Sequence, residues 1–124
     1  MIKFLQCVRR REDLSPADFA RFWSQYREAV DAVGVATQAL RVTASRTLAV
    51  PQNTQLMMAR GTGQPFDGVI EVWWGRGADV IGDLDRPDVH TLVETLQRLQ
   101  AEFMDLERSS FFFTSEDVLF EREE

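Results

Sequence analysis

Cysteine, histidine, tyrosine and lysine each occur once among the 124 residues, as Cys7, His90, Tyr26 and Lys3. A lone cysteine closes no internal disulfide, so the chain reads as one for a reducing compartment, the cytoplasm. A lone histidine without a neighbouring Cys, His or paired carboxylates makes no zinc site, and no metal is expected. His90 falls about 100° from Val89 on a helix, at the edge of the buried face, which suits a surface histidine better than an axial haem ligand. Long apolar runs are missing too, none approaching the roughly 20 residues of a membrane span, so no membrane partner is expected. The start, MIKFLQCVRR, lacks the apolar core and small-residue cleavage site of a secretory signal. No Walker motif, G-x-G-x-x-G or Ser-His-Asp order occurs, which leaves hydrolase, phosphoryl-transfer and dinucleotide readings without support. No internal repeat or low-complexity segment is visible. Positive charge is also short: net charge is −6 and the pI near 4.8. Of the arginines only Arg9, Arg10 and Arg11 cluster, which suits an exposed strand end and is too little for a nucleic-acid partner.

What is present, 44% hydrophobic and 27% charged residues, fits one globular domain over 1–124 with a core large enough to need no staples. Its clearest element is a helix opening at Ser15-Pro16, with Ser15 as N-cap, Pro16 at the first helical position and Asp18 in the first turn. Phe19, Phe22, Trp23, Tyr26, Val30 and Val33 fall within roughly 100° of one another on its wheel. Arg27 falls at about 80° from Phe19, on the lip of that face. Gly34 is the expected stop.

Residues 2–9 read as a first strand, apolar on both parities: Ile2, Phe4 and Val8 on one, Leu5 and Cys7 on the other. A second strand lies within 35–49. From Pro51 to Pro65 the Asn, Pro and Gly content predicts a long loop. Its Leu56-Met57-Met58 triplet reads first as packing against a neighbouring subunit and second as a lid. Val69 to Trp74 is the strongest strand, and Glu71 shares a face with Val69 and Trp73. A short helical turn over 79–84 ends at Asp85-Arg86-Pro87. Asp88 then caps a second long helix over 89–106, with Val89, Leu92, Val93, Leu96, Leu99 and Phe103 as its stripe. Gln100 lies inside that stripe, so it must be hydrogen-bonded to backbone or turned toward a polar cavity. Residues 109–114 make the last strand. The order is a ferredoxin-like βαββαβ sandwich, α+β in class. Helices cover one face of its sheet. Strands apolar on both faces then predict a homodimer packed sheet to sheet into an α/β barrel.

The blocks MIKFLQCVRR, LSPADFARFW, PFDGVIEVWW and FMDLERSSFFFTSE, in that order, resemble the EthD-domain family over nearly the whole chain. The resemblance implies a ferredoxin-like fold dimerising through its sheets, without a cofactor. The family takes its name from a protein associated with a cytochrome P450 system that degrades an ether fuel additive. Fungal relatives resemble dehydratases or decarboxylases of polyketide pathways, and the broad family label is oxidoreductase. Family members often carry a histidine four residues after the helix tryptophan, but here Trp23 is followed at that spacing by Arg27. A histidine takes and returns a proton near neutral pH, whereas a guanidinium stays charged and binds anions. Arg27 therefore either fixes a carboxylate or phenolate of an aromatic substrate or pairs with Asp31 one turn on. Asp105, at a position commonly Asp in the family, either caps a turn or offers a carboxylate to a cleft.

The enzyme reading is a cofactor-independent oxidoreductase or lyase acting on a small apolar, aromatic or polyketide-like compound. Its catalytic candidates are Tyr26, Arg27 and Asp105. Trp23, Trp73, Glu71, Gln100 and Phe112 are its substrate-binding candidates. The alternative is a non-catalytic accessory or binding dimer. Cys7, between apolar neighbours, reads as a structural thiol.

Overall fold

The computed structural model describes residues 1–123, with the backbone alone for positions 78–81. In chain order the elements are β1 (Ile2–Val8), α1 (Pro16–Ala36), β2 (Arg41–Arg46), α2 (Pro51–Arg60), β3 (Gly68–Trp74), α3 (Gly77–Leu84), α4 (Pro87–Phe103) and β4 (Ser110–Ser115). A 3₁₀ turn over Leu106–Arg108 precedes β4. The sheet runs β2-β3-β1-β4 with every neighbouring pair antiparallel. That order is the ferredoxin-like one, in which α1 and α4 cross the same face of the sheet.

α1 forms where its sequence predicts. Ser15 Oγ accepts the Asp18 N–H at 3.1 Å and the Asp18 carboxylate accepts the Ser15 N–H, a complete capping box. The helix nevertheless runs two residues past Gly34, and the turn that follows is made at Gln38, with φ of 57°. Gly34 serves a different purpose: a Cβ there would lie 2.6 Å from Val42 Cγ2, so the missing side chain lets α1 sit close on β2. Gly68 does the same for Trp23, whose ring lies 2.6–3.0 Å from where its Cβ would be. Phe19, Trp23, Tyr26 and Val30 of α1, with Leu96 and Phe103 of α4, pack on Val8, Ile70, Val72 and Trp74 of the sheet. Burial of each large aromatic there is worth several kcal/mol against truncation, of order 3–5.

The 51–65 stretch corrects the sequence reading. Its first ten residues are α2, with Pro51 at the first helical position and Gly61 closing it at φ 65°. The residues that looked like loop chemistry are its two ends. α2 buries no residue within the chain, and Leu56 and Met58 stay exposed. β2 is shorter than 35–49, and α4 is shifted from 89–106 to Pro87–Phe103. Arg86, not Asp88, takes the N-cap position, because Pro87 lacks an N–H and fits the first turn. Asp88 instead pairs with Arg86 at 2.6 Å. The C-terminal end of α4 is set by Met104, which turns extended and bridges to Arg10.

The face of the sheet away from the helices carries the apolar Leu5, Cys7, Val69 and Phe112 that strand parity suggests, with a charged row set among them. Lys3 reaches Glu71 at 3.2 Å and Glu116 at 3.5 Å, and Thr43 Oγ1 donates to Glu71 at 3.3 Å. Trp73 lies on this face with Lys3 and Arg41 near its ring, at 5.2 and 5.0 Å, and its indole N–H donates to Glu116 at 2.6 Å. No helix among the described residues is long and apolar enough to cross a membrane.

Candidate functional site

Tyr26 sits at the centre of the α1–α4–sheet sandwich with no exposed surface. Its ring meets Phe103 edge-on, with centroids 5.3 Å apart, and leans on Trp23 at 6.4 Å. Its hydroxyl donates to Gln6 Oε1 of β1 at 2.5 Å and accepts from Gln100 Nε2 of α4 at 2.8 Å. Three elements distant in sequence are thus tied by one phenol. Burial pushes that phenol up to about 12, and the bonds to Gln100 and Gln6 pull it back only in part. At neutral pH it is a proton donor, not a base.

Gln6 and Gln100, with Thr37 and the exposed Gln97, supply the polar lining of a cavity of about 300 Å³ between the sheet, α1 and α4. That volume is at the lower end of the range of small-molecule sites. Its walls are mainly apolar, with Phe4, Val72, Trp74, Leu96, Phe111 and Phe113 prominent. Phe4 and Phe113 stand 4.8 Å apart, and Trp74 lies 6.4 Å from Phe113. The Trp74 indole N–H is satisfied by Thr37 Oγ1 at 3.1 Å, and that hydroxyl donates to the Val33 carbonyl at 2.8 Å. Among the described residues no charged side chain lines this cavity. A broader, more open cleft lies at the strand ends around Arg9, Arg46 and Arg108. Arg9 and Arg108 are already engaged there with Pro65 and Glu12.

The sequence candidates separate. Gln100 lines the cavity and Tyr26 stands directly behind it, so the polar residue in an apolar stripe is turned to a cavity. Trp23 is core, 2% exposed, and does not reach the cavity. Trp73, Glu71 and Phe112 lie on the opposite face of the sheet, where Leu5 pairs with both Glu71 and Phe112. Arg27 is exposed on the outer side of α1, in a shallow cleft with Glu28, Asp31 and Val42. Asp105 caps the 3₁₀ turn, accepting the Arg108 N–H at 3.3 Å. Tyr26, Arg27 and Asp105 therefore do not converge. Gln6, on the cavity wall, is not among the candidates that the sequence singles out. Gln6 carries the same signal as Gln100, a polar residue between Phe4 and Val8 on the helix-facing parity of β1. Among the remaining candidates, His90 is a surface residue 3.2 Å from Glu94. Burial and then the Glu71 charge raise the Cys7 thiol, which disfavours its thiolate. No group of three or more potential metal-ligating side chains occurs among the described residues.

The fold this geometry defines, a ferredoxin-like sandwich, recurs in solved structures. A dimeric protein of unknown function and ferredoxin-like fold from Bacteroides fragilis matches at a TM-score of 0.62 and 11% identity, over 91% of this chain and 93% of that one. HapK from Hahella chejuensis matches at 0.58 and 14% identity, over 100% and 99%. SnoaB, a cofactor-independent oxygenase from Streptomyces nogalater, matches at 0.55 and 13% identity, over 97% of each chain. At such identities the likeness is one of fold. No protein-family profile and no curated protein matches the sequence.

Proposed function

We propose that this chain binds a small, uncharged, aromatic or polyketide-like compound in the cavity between the sheet and α4. The observation that carries the reading is an aromatic-walled space of about 300 Å³ whose polar lining includes two glutamine amides held by a buried phenol. A buried charge without a partner is strongly disfavoured, so a cavity whose described walls carry no charge favours neutral ligands. Its relatives in this reading are EthD-like members of the dimeric α/β-barrel proteins, working in the cytoplasm. A cofactor-independent oxidoreductase or lyase activity is the enzymatic form of the proposal, supported by the oxygenase among the structural neighbours. The alternative, a non-catalytic binding dimer, is supported by the absence of a base on the cavity wall among the described residues. In both forms Tyr26 positions the two amides, and Arg27, Glu71 and Asp105 act outside the cavity.

Trp74 on the wall supplies the assay. Naphthalene, 2-naphthol and anthraquinone are titrated while tryptophan emission is followed, in the wild type and in Leu96→Trp, which fills the cavity. Saturable quenching that Leu96→Trp abolishes is the expected result. No saturable quenching in the wild type, or the same quenching in both proteins, overturns the reading. The proposed homodimer pairs the open sheet faces of two copies, supported by the dimeric Bacteroides neighbour and by the charged row of Lys3, Glu71 and Glu116 on that face. Light scattering at micromolar concentration should give twice the chain mass, and a monomer mass refutes the pairing.

A further inference from the structure

Resting on the binding reading above, we infer that the cavity is built for a flat, uncharged ligand with a hydrogen-bond acceptor and a donor on one edge, taken by the unused amide atoms of Gln6 and Gln100. The argument is one of proton counting. A phenol has one proton to give, so of two amides flanking it one must accept and the other donate. Here Gln6 Oε1 accepts and Gln100 Nε2 donates. The atoms left over are a donor, Gln6 Nε2, and an acceptor, Gln100 Oε1. Neither has a protein partner among the described residues, and both side chains line the cavity. The result does not depend on which way the amides are drawn. Turning both over reverses the direction of the relay and still leaves one N–H and one carbonyl facing the cavity.

Gln6 is 3% exposed and Gln100 half-buried, and the spare amide atoms keep accessible surface where the two side chains line the cavity. A donor and an acceptor that open side by side into an apolar-walled space are a hydrogen-bonding edge that a ligand in that space would meet. Water would satisfy the pair one molecule at a time. The walls argue for a ring system instead, because Phe4, Trp74 and Phe113 form a continuous aromatic surface beside the amides. A ligand matching this edge has a lactam or an enol–ketone grouping on a flat bicyclic frame. A charged group in the same place would meet no counter-ion among the described wall residues.

Matched bicyclic probes test the assignment. 2-Quinolone carries an N–H donor and a carbonyl acceptor on one edge. N-methyl-2-quinolone keeps only the acceptor, naphthalene has neither, and 2-naphthoate is charged. Binding is followed by tryptophan emission in the wild type, Gln6→Leu, Gln100→Leu and Tyr26→Phe, each checked for folding by circular dichroism. For the wild type, 2-quinolone should bind about tenfold or more tighter than its N-methyl form, and 2-naphthoate most weakly. Gln6→Leu should weaken both quinolones, whereas Gln100→Leu should weaken only the N–H form. The reversed pattern supports the same pair with the two amides exchanged. Tyr26→Phe frees the amides and should erase the discrimination while leaving naphthalene affinity unchanged, which a purely structural role would not do. Equal binding of 2-quinolone, its N-methyl form and naphthalene overturns this inference and leaves the binding reading standing. Absence of any saturable binding, with Leu96→Trp indistinguishable from the wild type, overturns both. Preference for 2-naphthoate overturns the uncharged edge.

Discussion

Because Tyr26 is the sole tyrosine, its ionisation can be read without ambiguity from the tyrosinate absorbance near 295 nm. In the folded chain the phenol is expected to titrate at about 12, against 10.0 for an exposed tyrosine. The sign follows from proton counting. Between those two pH values the unfolded chain has lost its phenolic proton and the folded chain still holds it. The native state then binds more protons, so stability falls as pH rises. The full loss is on the order of 3 kcal/mol once pH passes 12, and it is absent below about pH 9. Lys3 titrates in the same alkaline range. Burial works against its charge, but bonds and charges from Glu71 and Glu116 outweigh burial and raise its value. Its share of stability is likewise lost as pH rises, so the comparison with Tyr26→Phe is what isolates the phenol. Urea unfolding of both proteins at pH 8 and pH 11.5, with the absorbance titration run in parallel, measures the difference. A tyrosinate midpoint near 10 in a protein that circular dichroism reports as folded would refute the buried Gln6–Tyr26–Gln100 relay.

Gly68→Ala places a methyl group within 3.0 Å of the Trp23 ring. The overpacking should cost about 1–3 kcal/mol and lower the Tm by about 4–12 °C in calorimetry, whereas an unchanged Tm means that α1 does not press on β3 there. Ser15→Ala removes the acceptor of the Asp18 N–H and should cost about 1 kcal/mol in urea unfolding, with no change in ligand affinity. Tyr26→Phe alone should cost about 1–3 kcal/mol at pH 7, since it leaves two amides unpaired. The triple variant Gln6→Leu, Tyr26→Phe, Gln100→Leu removes every polar partner together. It should be at least as stable as that single variant while failing to distinguish 2-quinolone from naphthalene.

How much of this could be read beforehand depended on whether a residue's signal was local. α1 was legible because the Ser15–Asp18 capping box and the Phe19-Trp23-Tyr26-Val30 stripe are local and agree. α2 was not, because it buries no side chain in this chain, so no periodicity marks it and Pro51 and Gly61 look like loop residues. Gly34 misled for a related reason: its role is set by Val42, which lies across the packing boundary, and not by the helix that contains it. Trp73 and Trp74 are adjacent and identical in type, and only the strand register decides that Trp74 faces the cavity and Trp73 faces Glu116. Arg27 illustrates the limit of wheel arithmetic. A side chain at the lip of an apolar stripe can turn either way, and here α1 seats on its Tyr26–Val30 line and leaves Arg27 outside.

The site itself was half legible, and the legible half points to why the rest exists. A stripe of leucines and valines has no packing reason to contain Gln100, and a strand face of Phe4 and Val8 has none to contain Gln6. Each amide in isolation is a liability, since an apolar residue of similar volume would bury more favourably. Tyr26 converts the two liabilities into one satisfied chain, but a phenol can satisfy only half of each amide. A core selected for stability alone would omit all three residues. Their joint presence around one phenol, at the wall of a cavity of about 300 Å³, is therefore not a requirement of the fold, and it is what the proposed ligand reading accounts for.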